Sequence, residues 1–254
     1  MLEICNVTGG YRGAPVLQNV SLHASGGKVT VLAGPNGCGK TTLLKCIAGI
    51  HPVMSGDILL ADESLIGLSP GLWARKIAWL PQSQSLPELT VERLVLQGRF
   101  PYLSYPRRYS REDRQIAREM MEKMELLPLA QRHMDTLSGG QRQKAFIAMV
   151  LTQNTPVILL DEPTVFLDIR HQIQLMEQVR SLAAEGKTVV MVLHDLSMAL
   201  QFADNLVVMQ EGRVVFQGAP EQVYTNGCLP AVFGVQVNRM ETPQGWQYYY
   251  REKG

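Results

Sequence analysis

Apolar positions along this chain follow two rhythms. Lys28 to Gly34 (KVTVLAG), Val157 to Leu160 and Thr188 to Leu193 are short, β-branched and almost wholly apolar. That is the pattern of strands buried on both faces. Gln172 to Ala184 has helical spacing and is closed by Gly186, and Thr41 to Ile50 is a second helix, ended by Gly49 and Pro52. Strand alternating with helix predicts a parallel sheet with crossover helices. Further strands are expected at Asp57 to Leu60, Ile77 to Leu80, Leu206 to Met209 and Arg213 to Phe216, the last two joined by Glu211-Gly212. The first segment, punctuated by Gly9-Gly10 and Gly26-Gly27, reads as short strands and turns.

From about Ser85 to Gln153 the rhythm becomes mostly helical, with charged and Met-rich faces. In Arg111 to Leu127, the residues Ile116, Met120, Met124 and Leu127 form a stripe assigned to the core. The plan is an α/β core, residues 1–84 and 153–254, interrupted by a helical insertion at 85–152.

Composition narrows the classes. The 254 residues carry a net charge of +1, which argues against a nucleic-acid footprint. The run Pro106-Arg107-Arg108-Tyr109-Ser110-Arg111 is a candidate basic patch, read here as the solvated approach to a helix. Cys5, Cys38, Cys46 and Cys228 show no metal-ligand spacing and are expected to be free thiols. Glu3 comes too early for a signal peptide, and no stretch approaches the roughly 20 apolar residues of a membrane span. Service to a membrane would run through a partner.

Two constellations carry chemistry. Gly34-Pro35-Asn36-Gly37-Cys38-Gly39-Lys40-Thr41 fits G-x-x-x-x-G-K-[ST], between a predicted strand and a predicted helix. Its glycines let backbone N–H groups turn inward, and with the helix N-terminus they form an anion site. Lys40 supplies charge for the β- and γ-phosphates of ATP, and the Thr41 hydroxyl is suited to Mg²⁺. Val157-Ile158-Leu159-Leu160-Asp161-Glu162 is an apolar strand ending in two acids, at the strand end where ligands bind in open parallel sheets. Asp161 can orient the Mg²⁺ shell while Glu162 polarises an attacking water.

Leu137-Ser138-Gly139-Gly140-Gln141, ahead of a predicted helix, is the signature pentapeptide of ABC ATPases, and the chain resembles that family along nearly its whole length. The resemblance implies a phosphate-loop NTPase (RecA-like) parallel-sheet core, an N-terminal antiparallel β portion and an inserted helical subdomain. It implies that Ser138, Gly139, Gly140 and Gln141 cap the γ-phosphate of ATP held by the phosphate loop, with Thr42, of a second copy in a head-to-tail pair. Tyr11 resembles the residue that stacks on adenine. Gln82 resembles the glutamine that reaches Mg²⁺, His194 the switch histidine on the γ-phosphate, and Asp168 the aspartate that couples the two sites. Val165 departs from the small or hydroxylated residue common in that loop, and Cys38 is a tolerated variation.

A closer resemblance is to importers of ferric siderophores, haem and cobalamin, carried by Gly98 to Tyr102 (GRFPY), Arg142 to Met149 (RQKAFIAM), Phe166 to Ile169, His194-Asp195-Leu196 and Gln217 to Pro220. It implies permease subunits above the pair, a periplasmic or surface substrate-binding protein beyond them, and a place on the cytoplasmic face of a bacterial inner membrane, with no nucleic-acid partner. Importers of other solutes, exporters and soluble ABC ATPases are the alternatives. Phe100 to Pro106 is either part of a permease groove or a surface loop.

Overall fold

Every residue of Val29–Ala33 and Thr188–Val192 is buried, so these strands need partners on both edges and cover on both faces. The computed structural model, which describes residues 1–11, 14–243 and 245–252, supplies parallel edges. Val29 pairs with Val189 on one side and Thr30 with Asn205 on the other. Asn205–Gln210 in turn pairs antiparallel with Arg213–Gly218.

The chain forms two compact units, Met1–Gly67 with Val179–Gly254, and Leu68–Gln178. The first holds the strands above and a separate antiparallel sheet. There Leu2–Tyr11 lies between Ala14–Ala24 and Val53–Leu60, with Leu2 opposite both Ala24 and Leu60. The expected short strands are thus corrected to strands of 10 and 11 residues. They bend rather than break, with register shifts near Asn6 and Asn19, both in the left-handed region that asparagine tolerates. The helix expected to reach Ile50 ends at Ile47, because Gly49 turns left-handed and Ile50 N–H bonds back to Lys45 O at 3.0 Å. Two short helices, Pro220–Asn226 and Cys228–Phe233, and a hairpin of Val235–Thr242 with Gly245–Glu252 complete this unit.

In the second unit Ile77–Leu80 pairs parallel with Val157–Asp161. The helical stretch expected at 85–152 lies inside this unit and contains Val91–Leu96, Arg111–Lys123 and Gly139–Thr152. The 3₁₀ helix Gln97–Tyr102 accommodates Pro101. A Cβ on Gly98 would lie 2.2 Å from Met149 O, so only glycine lets this segment rest on the Gly139–Thr152 helix backbone.

Within Arg111–Lys123 the buried line runs one position after the expected Ile116 and Met120. Ile116, Met120 and Leu127 are half-buried, Met124 is buried as expected, and the buried line runs through Asp113, Ala117, Met121 and Met124. Asp113 is drawn inward by two attachments. It completes a capping box with Ser110, and it meets Arg99 at 2.9 Å, with only 11% of either side chain exposed. Burial raises its pKa, but hydrogen bonds from Arg99 and Ser110 outweigh that and hold the carboxyl below its usual range. A pKa lowered by folding contributes stability above the unfolded-state value and loses it as pH falls through the folded-state value. Asp113→Asn, which strands a buried Arg99, is expected to cost about 3–5 kcal/mol near neutrality. Urea unfolding at several pH values should show the two proteins converging as acid protonates Asp113.

The four cysteines are free, and burial pushes the Cys46 thiol up to about 11, which makes it inert. Among the described residues no helix is long and apolar enough to cross a membrane.

Candidate functional site

In the first unit the buried strand Val29–Ala33 delivers the loop 34–39 to the helix Lys40–Ile47. The loop's course demands its glycines. A Cβ on Gly34 would lie 2.3 Å from Met209 O, while Gly37 and Gly39 have φ of +77° and +105°. Lys40 is buried, and its ammonium donates to Gly34 O at 2.7 Å and Pro35 O at 2.9 Å. A cation held by its own loop's carbonyls, at a helix start with no acidic residue in the first turn, makes a cradle matched to a phosphate. Thr41 is half-buried and Thr42 buried behind it.

Two supports of this cradle escape sequence reasoning. Gly212 N–H donates to Cys38 O at 3.0 Å and Gln18 N–H to Gly212 O at 2.9 Å, so the turn of the Asn205–Gly218 hairpin braces the loop. The Glu211-Gly212 pair signalled a turn, but not that it would touch Cys38. Likewise Tyr11, 43% exposed, is backed by the His51 ring with centroids 4.4 Å apart, and Lys45 Nζ approaches its hydroxyl at 3.4 Å. The Tyr11 ring is therefore a fixed platform with an open side. His194 is exposed just past the Thr188–Val192 strand, and the neighbouring Asp195 caps the helix Leu196–Phe202 by accepting from Ser197 N–H at 2.8 Å.

The second unit gathers the other candidates. Asp161 ends the fully buried strand Val157–Asp161 with 1% exposure, and Glu162 follows at 7%. Glu162 has φ of +53°, a conformation costly for a long side chain, and this turn brings it to Gln82, whose Nε2 donates to Glu162 Oε2 at 2.7 Å. Gln143 Nε2 donates to Pro163 O at 3.0 Å, tying the Gly139–Thr152 helix to the same turn.

Ser138 caps that helix. Its Oγ accepts from Gln141 N–H at 3.3 Å, and Gln141 Oε1 accepts from Ser138 N–H at 3.1 Å. Gly139 and Gly140 leave the first turn bare, and no acid sits there. Phe166, 77% exposed at φ +68°, lies over them, with its Cβ 3.5 Å from where a Gly139 Cβ would stand. Val165 and Phe166 join Gln82 and Arg142 around a cavity of about 470 Å³, and Ser138, Gly140, Gln141 and Asp168 line another of about 420 Å³. Asp168 accepts from His171 N–H and meets its ring Nδ1 at 2.8 Å, bonds that hold its carboxyl below the usual range.

The buried Asp161 carboxylate at a strand end is a donor of the kind Mg²⁺ takes. Among the described residues no cluster of three His, Cys, Asp or Glu could hold a metal by protein alone. An ion bound by one buried carboxylate, a hydroxyl and an amide oxygen, with substrate phosphates filling the other positions, needs no such cluster.

A lysine-filled glycine cradle after a buried parallel strand, with a strand-end carboxylate pair elsewhere in the chain, defines a phosphate-loop nucleotide hydrolase. The family is narrower: the ABC transporter family model matches residues 17–165, and the chain belongs to that family of ATP-hydrolysing, nucleotide-binding subunits. It is 38% identical to the ferric enterobactin transport ATP-binding protein of Escherichia coli, over 93% of this chain and 88% of that one. It is 40% identical to the hemin import ATP-binding protein of Rhodococcus jostii, over 91% of this chain and 79% of that one. A bacterial ABC transporter cassette solved in dimeric form superposes with a TM-score of 0.76 at 30% identity, covering 87% of this chain and 99% of that chain. Cassettes of this family form dimers and act with permease subunits.

Proposed function

We propose that this chain, as one of two copies, hydrolyses ATP on the cytoplasmic face of a bacterial inner membrane to drive uptake of a ferric siderophore, haem or cobalamin through permease subunits fed by a substrate-binding protein. The two relatives carry iron compounds, which favours the first two. The observation that supports hydrolysis is the buried Glu162, aimed and held by Gln82 at 2.7 Å.

In this reading Tyr11 stacks on adenine, and Lys40 exchanges the carbonyls of Gly34 and Pro35 for β- and γ-phosphate oxygens. The backbone of Gly34 to Gly39 and the hydroxyl of Thr42 complete the cradle. Thr41, Gln82 and Asp161 would hold Mg²⁺, which when bound neutralises charge on the phosphate oxygens. Release of the bond from Gln82 would leave the Glu162 carboxylate free to act. Glu162 then takes a proton from water as the water oxygen bonds to the γ-phosphorus. The bond from that phosphorus to the bridging oxygen breaks, and ADP and phosphate are left. His194 steadies the γ-phosphate. Ser138 to Gln141 of a second copy close over it, and Asp168 links the two sites.

Tyr11→Ala is expected to raise KM for ATP by about 5- to 150-fold, the worth of one base–aromatic stack, with kcat little changed. The import reading is tested by uptake of labelled ferric siderophore, haem and cobalamin in cells lacking the protein, complemented with wild type or Glu162→Gln. One substrate should enter only with the wild type. Equal entry of all three in every strain would remove the import assignment and leave the ATPase assignment standing.

A further inference from the structure

Arg107, Arg108, Arg111, Arg114 and Arg118 are all exposed, and among the described residues none pairs with a carboxylate. On the Arg111–Lys123 helix the arginines at 111, 114 and 118 fall within an arc of about 60°, a stripe about 10 Å long. Glu112 and Glu119 lie on the other flank, about 120° round, where Glu119 accepts from Gln115 at 3.0 Å, while Glu122 stands on the arginine face near its C-terminal end. This face carries one acid, Glu122, four residues after Arg118, against three arginines, and it sets Arg111, Arg114 and Arg118 three and four residues apart, at a cost. Arg107, Arg108 and Arg111 add to that cost, because they crowd the positive end of the helix dipole.

Aromatic rings accompany this charge. Arg107 stacks over Phe100 at 4.6 Å, Phe100 is 48% exposed, and Tyr105, two residues before Arg107, is 96% exposed. A ring so bare is a protrusion with no protein socket of its own. A fluid headgroup layer can close around it without a preformed cavity, while phosphates relieve the arginines.

We propose that this surface, Phe100 with Tyr105 to Arg118, binds the anionic headgroups of membrane phospholipids directly, without the permease. The solute carried has no bearing on it. The test is flotation of the purified full chain with phosphatidylcholine vesicles, with and without phosphatidylglycerol. Binding should require phosphatidylglycerol and fall with added salt. Arg111→Gln, Arg114→Gln and Arg118→Gln should each weaken it about fivefold. Tyr105→Ala should weaken it while leaving the salt dependence intact. All variants should keep wild-type ATPase activity, which shows that they fold. Equal flotation with both vesicle types, or arginine variants that partition like wild type, would overturn the proposal. So would arginines that prove necessary for permease capture and irrelevant to vesicles, which would make the surface a protein dock.

Discussion

Glu162→Gln is expected to slow ATP turnover by about 10²- to 10⁴-fold while leaving ATP binding intact. The substitution isolates the proton-accepting role. Glutamine keeps the shape and an oxygen at the same reach, so the bond from Gln82 Nε2, 2.7 Å in the wild type, can persist. The carboxylate's affinity for a proton is what disappears. Bound ATP is then no longer consumed, so the paired, ATP-bound state should accumulate. Single-turnover phosphate release, together with size-exclusion chromatography in ATP, reads both effects. Turnover within tenfold of wild type would move the general base elsewhere.

Lys40→Ala should remove about 2–5 kcal/mol of ATP binding, a rise in Kd of roughly 30-fold or more. The Lys40 ammonium donates to Gly34 O and Pro35 O. Its loss there costs two hydrogen bonds and also removes a buried charge, terms of opposite sign. The large effect should therefore appear only when nucleotide is added. ATP at a few times the wild-type Kd should raise Tm for the wild type and move the Lys40→Ala protein far less. An equal ATP-induced shift in both would show that the backbone alone carries the phosphate.

The parts legible in the sequence are those where chemistry and backbone demand the same residues in succession. The cradle from Gly34 to Thr41, the acids ending Val157–Asp161 and the capped start of Gly139–Thr152 are each contiguous, so their local patterns suffice. What was illegible depends on residues far apart. His51 meets Tyr11 across 40 positions, and Gly212 meets Cys38 across 174. The helical stripe holds at Met124 but not at Ile116 and Met120, because Arg99 draws the charged Asp113 inside. The C-terminal hairpin mixes Arg239, Met240, Trp246 and three tyrosines in succession, Tyr248 to Tyr250, and shows no clean alternation. Arg239 lies 4.0 Å from the Trp246 ring and pairs with Glu221 at 2.8 Å.

The left-handed backbone of Glu162 bears on how this protein can change over generations. Glycine, asparagine and aspartate enter that conformation at lower cost than glutamate. Drift toward easier folding therefore pulls this codon toward residues that are too short to meet Gln82 or carry no carboxylate. Copies that yield to the pull would be better-behaved proteins and dead enzymes. A lineage screened only for soluble expression should lose this glutamate early, and one screened for growth on its imported solute should keep it.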